Sequence, residues 1–195
     1  MGTDCAPQLA NLMLHNMEYT YLQQKLHERN YNILTRFKNC FRYIDDLTII
    51  NGNNILDSTT NDIYPNTLTL KKVNTDTSTA DILDIHCTIN NGQCITKTHD
   101  KRRSFPFEIM NFPHTFGNVP LTMCNSVYCE QLRRHSTLNT TLTDYINNII
   151  ILNASISKRG YSTNTLYTLF RKSCRKYKIH SRYNTTVENI INAIF

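Results

Sequence analysis

Asp45 and Asp46 are adjacent carboxylates set between two short apolar runs, Cys40-Phe41-Arg42-Tyr43-Ile44 and Leu47-Thr48-Ile49-Ile50. Apolar side chains alternate on both sides, with Phe41 and Tyr43 before the pair and Leu47 and Ile49 after it. Period-two patterning predicts two strands joined by a tight turn at or beside the aspartates. Such turns favour Asn-Gly or Asp-Gly, because their central residues need positive φ, and no glycine is present here. Two neighbouring like charges also repel, by on the order of 1 kcal/mol outside bulk water. A chain that accepts both penalties is expected to hold a cation there. Oxygen ligands point to magnesium, or manganese in its place, shared with substrate phosphates. The plain alternative is a solvated surface turn with no ligand.

The elements around this pair can be traced from spacing. Pro7 suits a first helical turn, and Leu9, Leu12, Met13 and Met17 follow at helical intervals, so a helix is expected from Pro7 into the 25–29 region. The hairpin at 39–50 comes next, then a turn at Asn51-Gly52-Asn53 and a short helix over 54–63. Thr67–Val73 alternates and reads as a strand, as does Ile82–Ile89. Asn90-Asn91-Gly92 turns the latter into a further strand over Gln93–Thr98. Pro106, Pro113, Gly117 and Pro120 mark 104–120 as an irregular connector. Helices are expected over about 121–136, 141–157 and 162–180, with Gly160 as a stop.

A phase count on the last helix separates two faces. Leu169, Phe170, Cys174 and Tyr177 lie within about 80° of Leu166 at 100° per residue. Arg171, Lys172, Arg175, Lys178 and Arg182 lie opposite, about 120° or more away, and Lys176 borders them at about 80°, with no acidic residue among the six. Like charges at i,i+4 destabilise a helix, so contact with a nucleic-acid backbone is favoured over an ordinary solvated face. Such contact is salt-dependent and blind to sequence. Charge along the chain agrees. Residues 1–100 carry 8 basic and 11 acidic side chains, a balance of −3, and residues 101–195 carry 13 and 4, a balance of +9.

Composition sets limits. The chain has 195 residues and is 40% hydrophobic, enough for a core. No apolar run is long enough to span a membrane, and no signal peptide is evident. Seven cysteines, an odd number, are scattered through it, which favours a reducing compartment, cytoplasm or nucleus. His86, Cys87, Cys94 and His99 fit no standard zinc spacing, and strands would send neighbouring side chains to opposite faces.

The aromatic-apolar-Asp-Asp tetrad Tyr43-Ile44-Asp45-Asp46, between hydrophobic strands, resembles the YxDD box of reverse transcriptases. The opening Gly2-Thr3-Asp4-Cys5-Ala6-Pro7-Gln8-Leu9-Ala10-Asn11-Leu12 is similar to the loop and helix that precede that box, especially in Penelope-like retroelements. Leu83-Asp84-Ile85, then Asp100-Lys101-Arg102 through Asn111-Phe112-Pro113-His114, Val119-Pro120 and Gln131-Leu132-Arg133-Arg134, resemble the path into the family's thumb.

The resemblance implies an α+β fold. A partial polymerase palm over 1–103, with a helix packed on an antiparallel sheet that carries the YxDD hairpin, would lead into a connector and helical thumb-like region over 104–195. It implies magnesium-dependent nucleotidyl transfer, acting on a nucleic-acid template–primer and deoxynucleoside triphosphates. Asp45 would be the principal metal ligand and Asp46 a second. Tyr43 would lie beside the primer end, and Gly2 would let backbone approach the nucleotide. Lys71 or Lys72 would stand near the leaving pyrophosphate. The family also carries a metal-binding aspartate on a strand upstream of the Gly-Pro loop. This chain begins at that loop, so an upstream polypeptide is expected to supply fingers and that aspartate, and the chain alone is expected to lack catalysis. A non-catalytic nucleic-acid-binding remnant is the alternative, and an RNA-templated RNA polymerase shares the same carboxylate hairpin.

Overall fold

The structure is a computed structural model, and it describes residues 4–52, 54–74, 76–107, 109 and 112–195. The protein is α+β: eight α-helices and two small antiparallel sheets occur among the described residues. The chain divides into two compact units, Met1–Val73 and Asn74–Phe195.

The first unit opens with α1 (Ala6–His27), which has Pro7 in its first turn as expected. Arg29, at φ 56°, breaks the chain away from it. Asn30 then caps α2 (Tyr31–Phe37) by accepting a hydrogen bond from the Ile33 amide. β1 (Cys40–Tyr43) and β2 (Asp46–Ile49) form the expected hairpin, and α3 (Ile55–Ile63) follows. Tyr21, Ile63 and Tyr64 make the small core, with Met17, Leu22, Ile33 and Phe37 packed on it. The strand expected at Thr67–Val73 does not form. Alternation alone leaves backbone groups unpaired, and no neighbouring strand among the described residues offers a ladder; Leu68, Leu70 and Val73 remain exposed. Asn53, in the expected turn, lies outside the described residues.

In the second unit β3 (Thr79–Ile82), β4 (Ile85–Asn90) and β5 (Gln93–Thr98) form one antiparallel sheet in sequence order. The run expected as a single strand over 82–89 is split by a two-residue turn at Leu83-Asp84. Asn91 (φ 49°) and Gly92 (φ 76°) make the expected turn into β5, the Asn-Gly pairing that a tight hairpin prefers. A 3₁₀ turn (Lys101–Ser104) precedes the irregular connector. α4 (Leu121–Leu138), α5 (Leu142–Ser157), α6 (Thr163–Lys176), α7 (Ile179–Arg182) and α8 (Val187–Ile194) then enclose the main core. Tyr128, Leu132, Tyr145, Ile149, Phe170 and Ile190 are fully buried there. The sheet joins the helices through polar contacts: the Thr98 amide donates to Asn139 Oδ1 (3.0 Å), and the Thr140 amide donates to the Thr96 carbonyl (2.8 Å). Gly160, at φ +85°, ends the α5 region as expected. The helix expected over 162–180 is instead two, because Lys178 adopts φ 52° and interrupts it. No helix is long and apolar enough to cross a membrane among the described residues.

Candidate active site on the aspartate hairpin

The β1–β2 register pairs Cys40 with Ile49, Phe41 with Thr48, Arg42 with Leu47 and Tyr43 with Asp46. Directly opposed residues share a face of a sheet. Phe41, Tyr43, Asp46 and Thr48 therefore stand on one face, and Cys40, Arg42, Leu47 and Ile49 on the other. Phe41 and Tyr43 are 58% and 59% exposed, and both aspartates are exposed. The loop between the strands is only Ile44-Asp45.

That turn is costly in a specific way. Ile44 sits at φ 54°, in the left-handed region, where an L residue costs roughly 1–2 kcal/mol and a β-branched one is an outlier. Asp45 is lifted to the tip, and Asp46 starts β2 beside Tyr43. Neither carboxylate has a hydrogen bond or ion pair among the described residues.

The second unit contains a useful comparison. Its Leu83-Asp84 turn also joins two strands with two residues, and Leu83 also has positive φ, at 53°. A left-handed aliphatic residue is thus not peculiar to the candidate site. The carboxylates differ. Asp84 is paired with Arg134 Nη2 at 2.6 Å, whereas Asp45 and Asp46 carry two charges with no cation among the described residues.

The inward face of the hairpin carries a charge that the pattern analysis did not single out. Arg42 Nε donates to Glu18 Oε2 of α1 (3.2 Å), and Arg42 Nη2 donates to Tyr64 Oη (2.6 Å). Tyr64 Oη in turn donates to Glu18 Oε1, which also pairs with Arg42 Nη2. Arg42 Nη1 reaches the Ile44 carbonyl at 3.4 Å. Burial pushes the Tyr64 phenol above its ordinary pKa, with the Arg42 charge opposing. The signal was present in the sequence: Arg42 lies between Phe41 and Tyr43, so alternation turns it to the opposite face and demands a partner there.

Other expected site residues are placed as follows. Gly2 lies outside the described residues. Lys71 and Lys72 are exposed in the irregular chain after α3, and Lys72 Nζ donates to Asn54 Oδ1 (3.2 Å). Neither makes an ion pair with the aspartates. On α6, Arg171, Lys172 and Arg175 line a shallow open groove with Tyr167 and Thr168. Their ammonium and guanidinium groups have no ion pair among the described residues. The other three basic residues diverge from this stripe. Lys176 lies over the Tyr177 ring at 5.2 Å and adds to the field that lowers the Glu130 carboxyl, after the larger effect of its hydrogen bond from Arg133. Lys178 caps α7, and Arg182 Nη2 donates to the Thr137 carbonyl at 3.2 Å.

His86 and His99 converge on one oxygen, with Nδ1 atoms 2.6 Å and 3.3 Å from Asp81 Oδ1. Cys87 is on the opposite face of β4 from His86. Among the described residues no group of three or more His, Cys, Asp or Glu side chains is placed to hold a metal ion. No protein-family model, no curated protein and no solved structure matches the chain.

Proposed function

We propose that this chain is part of an RNA-directed DNA polymerase, with the Ile44-Asp45-Asp46 hairpin as the palm element that binds divalent metal and the helical region as its thumb. The observation that carries the reading is the pair of exposed, adjacent carboxylates at a strained two-residue turn, with no basic side-chain partner among the described residues, in a protein whose similar turn at Asp84 is neutralised by Arg134. The donor set fits magnesium or manganese in kind, because both ligands are hard anionic oxygens. It supplies two carboxylates, and the proposal assigns a third to another polypeptide segment.

When bound, such metal would stabilise charge on the attacking and departing oxygens of nucleotidyl transfer. Asp45 and Asp46 hold their carboxylates at the tip of a short ladder, so little reorganisation accompanies binding. Tyr43, on the same face as Asp46, offers a ring against which a primer terminus can pack. Arg171, Lys172 and Arg175 would carry backbone phosphates of the template–primer, and Lys71 or Lys72 the pyrophosphate side of a deoxynucleoside triphosphate.

The test is magnesium-dependent incorporation of deoxynucleotides on an RNA-templated primer. The account expects no incorporation by the 195-residue chain alone, and incorporation by the complete native enzyme that Asp45→Asn abolishes. Incorporation that survives Asp45→Asn overturns it. A second reading, a nucleic-acid-binding remnant without catalysis, is favoured by the lack of a third carboxylate beside the pair among the described residues. It predicts duplex binding with no incorporation by the native protein.

A further inference from the structure

Arg42 connects the hairpin tip to the core of its unit. Arg42 is mostly buried, with 12% of its side chain exposed, and its Glu18 partner has 19%. Tyr64, which completes the triangle, is only 4% exposed and belongs to the core cluster with Tyr21 and Ile63. The three nitrogens of the planar guanidinium reach three partners: Nε and Nη2 both meet Glu18, Nη2 also meets Tyr64, and Nη1 meets the Ile44 carbonyl. A lysine ammonium cannot span that fork.

Two physical consequences follow from this arrangement. A left-handed Ile44 persists only where the surroundings over-determine it, and Arg42 is the side chain that donates to its carbonyl. Charge balance matters equally. Glu18 neutralises Arg42 by direct pairing, so the guanidinium can support the turn without cancelling the charge that Asp45 and Asp46 offer to a cation. We propose that Arg42 is the positioning residue of the aspartate turn, fixing the Ile44 backbone and thereby the directions of the Asp45 and Asp46 carboxylates toward a divalent metal. The proposal rests on the reading of those carboxylates as metal ligands.

The experiment is a terbium titration of the full chain, read by luminescence sensitised through tyrosine, since Tb³⁺ is a hard cation that seeks carboxylate oxygen. Asp45→Asn/Asp46→Asn defines what binds at the hairpin. Circular dichroism and melting report the folded fraction separately. Arg42→Lys is expected to weaken the hairpin component about 10–100-fold, the range for residues that orient metal ligands, and to admit more water to the ion, read from decay lifetimes in light and heavy water. A purely structural role would lower the melting temperature and leave the affinity and hydration of the folded fraction unchanged. Tyr64→Phe, which keeps the Arg42–Glu18 pair, should shift both readouts in the same direction by less, and it decides the matter if Arg42→Lys does not fold. If the double aspartate variant loses a component that Arg42→Lys and Tyr64→Phe both retain at full affinity, the positioning role is wrong and the metal reading stands. If the double aspartate variant binds as the unmodified chain does, the metal reading itself fails and the positioning role with it.

Discussion

Tyr43 and Asp46 are direct partners across the β1–β2 ladder, an aromatic ring and a carboxylate side by side on the exposed face of a hairpin whose loop is only Ile44-Asp45. Everything chemical in the proposal depends on this juxtaposition, and it is bought with an unfavourable turn. Asn91-Gly92 shows the inexpensive solution in the same chain, with two residues suited to positive φ.

Replacing Ile44 with glycine should therefore be unusually mild. Truncating a partly buried isoleucine ordinarily costs several kcal/mol, but relief of about 1–2 kcal/mol of left-handed strain offsets part of it here. The expected net loss is below about 2 kcal/mol by urea denaturation, with the cation affinity of the hairpin reduced because the glycine turn is looser. A loss of about 4 kcal/mol or more, the upper range for truncating a buried isoleucine, would show that Ile44 is held by packing and not against strain.

The basic stripe makes a quantitative prediction. Arg171, Lys172 and Arg175 share one groove, whereas Lys176, Lys178 and Arg182 are turned to other partners or positions. Neutralising the first three should reduce the slope of log affinity against log salt for duplex DNA by about 3, roughly one unit per phosphate contact. Neutralising the other three should change it much less. Equal effects from both sets would return the basic residues to the status of a diffuse positive surface.

Alkaline pH provides a test of the helical core. Burial pushes the Tyr161 and Tyr183 phenols up to about 12, and the Tyr128 and Tyr145 phenols higher still. An unfolded tyrosine ionises near pH 10. Above that pH the unfolded chain releases protons that the folded one retains, so stability is complete below about pH 10 and falls as pH rises toward 12. Tyrosinate absorbance should accordingly show a fraction of the eleven tyrosines ionising only together with loss of helical dichroism. Smooth titration of all eleven before unfolding would contradict the packing of α4 to α8.

These same elements show what the sequence could and could not disclose. The hairpin, α1, α4 and α5 are legible because alternation on both sides of Asp45-Asp46, or helical spacing beside boundaries such as Pro7, Pro120 and Gly160, marks them. Thr67–Val73 misleads because its alternation has no partner strand among the described residues, a property that no local window contains. The Leu83-Asp84 turn is hidden because it uses neither glycine nor asparagine. The break after Lys176 is hidden for a related reason: Lys178 takes a conformation that its type disfavours. Of the site, Asp45, Asp46 and Tyr43 are visible as residue types, while the Glu18–Arg42–Tyr64 triangle depends on a strand, a helix and a helix end meeting. Only the inward phase of Arg42 announces it.

The most direct test of the central claim is manganese titration of the isotope-labelled chain followed by nuclear magnetic resonance, where bound Mn²⁺ broadens nearby amides. The account predicts broadening centred on residues 43–47, with the effect lost in Asp45→Asn/Asp46→Asn. Sharp signals at 43–47 at manganese levels that broaden amides around Asp57, Asp62 or Asp144 would contradict it.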